Sequence, residues 1–343
     1  MKLPVRLHIA AIALLVCSGA PGAESVPPIR QVVSFGDSLS DAGTYGFRFT
    51  TNPGLTFAQQ LAVHYGQQPL PNEHIDNYKE VYRGKHGVPG PGGLNYAEGG
   101  AKADSAYSAV SQDPEGVPIS TAVQVRHYLQ QHGSFAPDQL VTLYIGTNDA
   151  VYDADPKIAP DVAKRLLENT PLPAQMMLAE RTRVQEAADA TARLAKDILA
   201  HGAKRLLVFK LVDLGKLPWF HTAAARSFAT DLGRAFNERL VQSLPRDPQH
   251  LLVIDTQAFA DELMAHPTVY GFKHGAYEDA CREDDQDYCF PQTLKTPDAD
   301  QTFIFASGEH MTAHANKLLA DYVLRMLRES PLRSRSETSS PAA

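Results

Sequence analysis

Four short apolar runs mark the chain, at 31–35 (QVVSF), 140–145 (LVTLYI), 205–211 (RLLVFKL) and 250–255 (HLLVID). They are nearly continuous in Val, Leu, Ile and Phe, the pattern of strands buried on both faces of a parallel sheet. Between them the period changes to that of a helix. Over 180–201, Val184, Ala187, Ala188, Leu194, Ala195 and Ile198 share one stripe, with Thr191 its single polar member. Charged residues fill the other faces, and Gly202 ends the pattern. Residues 223–244 and 311–328 repeat it. Strands alternating with helices predict a parallel sheet covered on both sides.

Two stretches break the alternation. Residues 66–118 are rich in Gly, Pro, Asn and Tyr and predict long surface loops. Residues 150–179 carry Leu166, Leu167, Met176, Met177 and Leu178 among prolines. That composition suits a helical cover over a site, or more simply a helix facing the core. Residues 329–343, rich in Ser, Pro and Arg, predict a disordered tail, which leaves one domain over 24–328.

The N-terminus has its own pattern. Lys2 and Arg6 precede an apolar run at 7–16 that is too short to span a bilayer, and small residues follow at 18–23. Residues 1–23 therefore read as a signal peptide, which implies a periplasmic or extracellular protein. Removing Lys2 and Arg6 moves the formal charge from −7 to −9. That acidity argues against nucleic acid and anionic membrane surfaces as partners. No other segment is apolar enough to span a membrane. Cys17 leaves with the leader, and Cys281 and Cys289 remain to pair in an oxidising compartment. So short a crosslink is worth about 2–3 kcal/mol. The acidic stretch 278–287 lacks the residue order and glycine of an EF-hand, so it reads as a solvated loop. No histidine pair has metal-ligand spacing, and neither metal nor cofactor is expected.

Candidate chemistry begins at VVSFGDSLSD, 32–41, where a strand runs into a polar turn. Ser38 stands at the carboxyl end of that strand, where open α/β sheets bind ligands. No GxSxG elbow occurs, which argues against the α/β-hydrolase layout. Paired glycines in LNYAEGGAKA (94–103) allow a backbone N–H to approach a substrate oxygen. In YIGTNDA (144–150), Asn148 has a side-chain amide suited to the same oxygen, and Asp149 is suited to bracing loops.

Together with the histidine in FASGEHMTAH (305–314), these segments resemble the SGNH, or GDSL, hydrolase family. Secreted bacterial lipases, esterases and phospholipases carrying FGDSLSD and NYAxGGA are the nearest type, and the likeness covers roughly 30–328. It implies a flavodoxin-like three-layer α/β/α sandwich and hydrolysis of carboxylic esters. By that resemblance Ser38 is the nucleophile, and Ser38 N–H, Gly100 N–H and Asn148 form the oxyanion hole. His310 is the base, and the partner is an ester or lipid substrate. Carbohydrate esters are a further substrate class. A decayed scaffold that only binds is the alternative of another kind.

One departure stands out. Where the family has Asp-x-x-His-Pro-Thr, this chain has Ser307-Gly308-Glu309-His310-Met311-Thr312. The orienting aspartate is missing. A backbone carbonyl near Ser307, or its hydroxyl, is the expected replacement. A water or anion, the adjacent Glu309, and Asp298 or Asp300 folding back are the other routes. His314 is the rival base, with a packing role expected instead.

Overall fold

A computed structural model describes residues 27–75, 88–105, 118–156, 158–282 and 287–333. The signal-like segment 1–23 lies outside the described residues. Each of the four apolar runs forms a strand: β1 (Gln31–Gly36), β2 (Gln139–Tyr144), β3 (Leu206–Phe209) and β4 (Leu251–Ile254). They pair in that order, all parallel. A second sheet joins β5 (His274–Asp279), β6 (Phe303–Ser307) and the two-residue β7 (His310–Met311).

The segment around Asn95 corrects the expectation of surface loops. It runs parallel along the free edge of β1: Ser34 N–H donates to Leu94 (3.0 Å), Tyr96 N–H to Ser34 (2.8 Å) and Glu98 N–H to Gly36 (3.2 Å). Counted as a strand, it gives the order 2-1-3-4-5 of the flavodoxin-like fold. Its turn-forming composition hides it, because only a few residues pair before the chain turns. Residues 76–87 and 106–117 of the same stretch lie outside the described residues.

The helices are α1 (Phe57–His64), α2 (Thr121–His132), α3 (Thr147–Val151), α4 (Pro160–Leu167), α5 (Ala174–Ala200), α6 (Ala223–Ser243), α7 (Thr256–Ala265) and α8 (Ala313–Glu329). A four-residue helical turn, Ala299–Thr302, precedes β6. α1 and α7 pack with α8, while α2 contacts α5, which lies along α6. Aromatic residues line the sheet. Phe35 meets Tyr96 and Tyr128 at 5.6 and 5.8 Å, and Phe57, Tyr144 and Phe209 form a second cluster. The α5 stripe is buried as its period requires, and Thr191 satisfies its hydroxyl on the Ala187 carbonyl at 3.0 Å. α4 buries Val162, Ala163 and Leu166, so 150–179 includes a core-facing helix. No helix among the described residues is long and apolar enough to cross a membrane.

The domain extends past the expected boundary. Leu332 is buried, and Arg205, itself 1% exposed, donates from Nε to its carbonyl at 2.9 Å. The same guanidinium donates to Pro137 at 3.0 Å and Pro27 at 2.6 Å, gathering three distant segments. Residues 334–343 lie outside the described residues. Replacing Arg205 by Met removes a buried charge-assisted network while keeping an apolar stem. Arg205→Met is expected to destabilise by about 3 kcal/mol, read as a lower urea midpoint. Arg205→Lys should recover little, since one ammonium cannot span three carbonyls.

Candidate active site

β1 leaves the sheet at Gly36, opposite Tyr144 and at φ +148°. A Cβ there would collide with the Tyr144 carbonyl, so glycine is required. Gln124 of α2 brackets the residue: Oε1 accepts from Gly36 N–H and Nε2 donates to its carbonyl, both at 2.9 Å. The chain then turns tightly. Ser40 and Asp41 N–H donate to the Asp37 carbonyl at 3.0 and 3.1 Å, and Leu39 N–H donates to Asp37 Oδ1 at 3.0 Å. Ser38 lies inside this turn, its own N–H without a partner among the described residues.

His310 reaches Ser38 from the other end of the chain. Its Nε2 lies 2.8 Å from Ser38 Oγ, across 272 residues of sequence. The two residues are 2% and 4% exposed. β7 holds the histidine in a hairpin with β6, where Ser307 pairs with His310 and Gly308 turns at φ +54°. Phe49 packs against the imidazole at 5.1 Å. Thr312 then caps α8, its hydroxyl accepting from Ala315 N–H.

The glycine pair forms a tight turn in which Ala101 N–H donates to Glu98 at 3.1 Å and Gly100 adopts φ +84°, as a type II turn demands. Gly99 lies so close to Phe49 that no Cβ would fit. Its N–H donates to Asp41 Oδ2 at 3.0 Å, while Asp41 Oδ1 takes Gly43 and Thr44 N–H at 2.7 and 2.8 Å. Asp41 thus ties the Ser38 turn to the glycine turn. Asn95 adds a second tie, donating to the Ser40 carbonyl at 2.7 Å. Gly100 N–H has no partner among the described residues. Asn148, buried in the first turn of α3, donates to the Ala101 carbonyl at 2.8 Å. One amide hydrogen remains without a partner among the described residues. Asp149 accepts from Ala103 N–H at 3.0 Å.

Several site residues sit elsewhere than the sequence suggests. No acceptor among the described residues meets His310 Nδ1, so neither a carbonyl nor the Ser307 hydroxyl holds it. With Nε2 committed to Ser38 the ring orientation is set, and cross-strand pairing with Ser307 joins backbones without delivering its hydroxyl to Nδ1. Glu309 does enter the site, with Oε1 3.8 Å from His310 Nε2. Adjacent side chains alternate along a strand, but Glu309 is in the hairpin turn, where alternation lapses. Asp298 pairs with Lys273 at 2.8 Å, and Asp300 with Gln301, so neither folds back. His314 Nε2 lies 2.9 Å from the Tyr270 carbonyl and packs on Phe272, a structural role. Cys281 and Cys289 form a disulfide. Sequence reading missed Gln124, Asp41 and Asn95. Gln124 had a signal, since it shares the buried helix face with Ala122, Val125 and Tyr128.

The enclosure is electrostatically unusual. Burial raises Asp37 to about 7, helped by Asp149 and Asp41, and raises Asp41 to about 6 against its N–H donors. Burial also lifts Glu98 and Glu309 well above the carboxylate range. It lowers His310 to about 4, opposed by the charge of Asp287. A neutral imidazole beside a serine hydroxyl can accept its proton, and the N–H groups of the two turns can meet a developing oxyanion.

The model of the GDSL-like lipase/acylhydrolase family matches residues 32–323. The chain belongs to that family. It is an ester hydrolase. The phosphatidylcholine-sterol acyltransferase of Aeromonas hydrophila is 28% identical, over 95% of this chain and 85% of its own length. Esterase EstA of Pseudomonas aeruginosa is 24% identical over 95% of this chain, which spans only 51% of that relative. Among solved structures, a carbohydrate acetylesterase from Sinorhizobium meliloti aligns with 88% of this chain and 99% of its own, at 13% identity and a TM-score of 0.39.

Asp37 makes the electrostatics testable. Its folded value lies above its unfolded one, so its contribution to stability is full below about 3.8 and is lost as pH rises through about 7. Asp37→Asn removes that loss. The melting temperature of Asp37→Asn minus that of the parent should become more positive from pH 5 to pH 8. A difference independent of pH would contradict the raised value.

Proposed function

We propose that the protein is an exported serine hydrolase that cleaves carboxylic acyl esters through an acyl-enzyme on Ser38, with His310 as base. The observation that carries this reading is the buried 2.8 Å contact between His310 Nε2 and Ser38 Oγ. For Nε2 to accept, the imidazole hydrogen resides on Nδ1. As Oγ attacks the acyl carbon, its proton passes to Nε2. The carbonyl oxygen becomes an oxyanion facing Ser38 N–H, Gly100 N–H and the second Asn148 hydrogen. Collapse expels the alcohol, which takes the proton back from His310. Water repeats the cycle and frees the acid. Burial pushes the Glu309 carboxyl well above its usual range.

Among acyl esters, lipid esters are the preferred class, supported by the relative named for phosphatidylcholine and sterol. Export rests on the leader-like pattern of 1–23, and the Cys281–Cys289 disulfide is compatible with an oxidising compartment.

Ser38→Ala should abolish turnover of a short p-nitrophenyl ester and labelling by a fluorophosphonate probe. Parent-like turnover in that variant would sink the assignment, and an unlabelled parent would favour a decayed binding scaffold. Asn148→Ala should lower kcat by roughly 100- to 1,000-fold with little change in KM, since its second hydrogen serves the oxyanion. A rise in KM alone would assign Asn148 to ground-state binding.

A further inference from the structure

Two parts of the site meet one aromatic ring. Phe49 is 3% exposed, and its ring centroid lies 5.1 Å from that of the His310 imidazole, with the two planes 38° apart. The far end of the same ring abuts Gly99, where an added Cβ would overlap the Phe49 ζ and ε2 carbons. Gly99 immediately precedes Gly100 in the glycine turn.

Phe49 is itself held from several directions. Thr50 donates from its hydroxyl to the Met311 carbonyl at 2.7 Å, and the Thr51 hydroxyl accepts from Ala313 N–H at 2.9 Å. Those bonds tie the backbone after Phe49 to residues that follow His310. On the other side, Tyr45 donates from its hydroxyl to the Gly99 carbonyl at 2.9 Å and meets Phe49 edge-on at 5.9 Å. Phe47 meets Phe49 at 5.2 Å. Tyr45, Phe47, Phe49 and Ile75 form a small buried cluster separate from the main core.

The His310 ring lacks the usual second restraint. Nε2 meets Ser38 Oγ at 2.8 Å, while Nδ1 has no hydrogen-bond partner among the described residues. A ring held by one hydrogen bond can still swing about it. An aspartate removes that freedom in the Ser-His-Asp arrangement, and here position 307 is a serine. A rigid aromatic side chain packed against the imidazole restricts the same swing by excluded volume, without charge.

We propose that Phe49 is a positioning residue for this site. Its ring sets the orientation of the His310 imidazole and, through Gly99, the place of the Gly100 N–H relative to it. The inference rests on the Ser38–His310 reading. Phe49 takes no part in proton transfer; it keeps Nε2 aimed at Ser38 Oγ and the oxyanion turn in register with that pair.

The test uses the full chain, a short p-nitrophenyl ester, and a fluorophosphonate to count competent Ser38 sites. Phe49→Leu keeps an apolar side chain but removes the rigid ring. It should lose roughly 10- to 100-fold in kcat per labelled site, the cost of a misaligned reacting group, with KM little changed and full labelling at long times. Parent-like turnover per labelled site overturns the proposal, even if fewer sites label or the melting temperature falls, because Phe49 is then only core packing. A rise in KM with kcat unchanged overturns it as well. Gly99→Ala displaces the ring and should also lower kcat, but it should cost much less when added to Phe49→Leu than it does in the parent. An equal cost in both backgrounds would show that Gly99 does not act through Phe49. If Phe49→Leu fails to fold, Phe49→Met, which fills the space with a flexible chain, decides by the same turnover per labelled site. A parent that never labels means the Ser38 assignment has failed; a labelled parent beside a parent-like Phe49→Leu means only this inference has.

Discussion

At Gly36 the polypeptide leaves the sheet through a gap with no room for a side chain. The Tyr144 carbonyl occupies the space a Cβ would fill, and Gln124 grips the peptide from both sides. Everything at the site follows from that close approach. It lets β1 stay in register with β2 to its last residue while the next turn carries Ser38 clear of the sheet. Asp41 and Asn95 then lock the Ser38 turn to the glycine turn, and Asn148 locks the glycine turn to α3. The Ser38 and Gly100 N–H groups, without partners among the described residues, belong to turns tied down at neighbouring residues. Their directions are therefore set before any substrate arrives, which is what preorganised oxyanion stabilisation requires.

The site is also buried, and burial has two consequences that pull apart. It holds His310 neutral and so available as a proton acceptor, and it pushes the Glu309 carboxyl well above its usual range. The same burial makes the imidazolium formed during turnover costly. An aspartate in the C-terminal motif relieves that cost elsewhere in the family. Here the motif has Ser307 in that place.

Much of this architecture was legible in the residue pattern. The four apolar runs became the four strands, and the α5 stripe became a buried face, because burial on both sides of a parallel sheet or on one side of a helix imposes its own period. The 94–98 edge strand and the β6–β7 hairpin were not legible. Both are short, and both owe their pairing to partners far away in sequence. The turn at Gly308 and Glu309 likewise has no local periodicity that would show where the Glu309 side chain goes.

The sequence by itself determined the layered α/β class, the ordered set of Ser38, Gly100, Asn148 and His310, and the family they signal. These depend on local periodicity and on motifs whose chemistry is contained within a few residues. Only the tertiary structure decided that Ser38 and His310 share a hydrogen bond, that Nδ1 meets no acceptor among the described residues, and that Gln124 and Asp41 hold the turns. Those outcomes depend on contacts between segments separated by tens to hundreds of residues, such as the 272 between Ser38 and His310. No local pattern encodes the direction in which a ring nitrogen or a carboxylate will point once those segments meet.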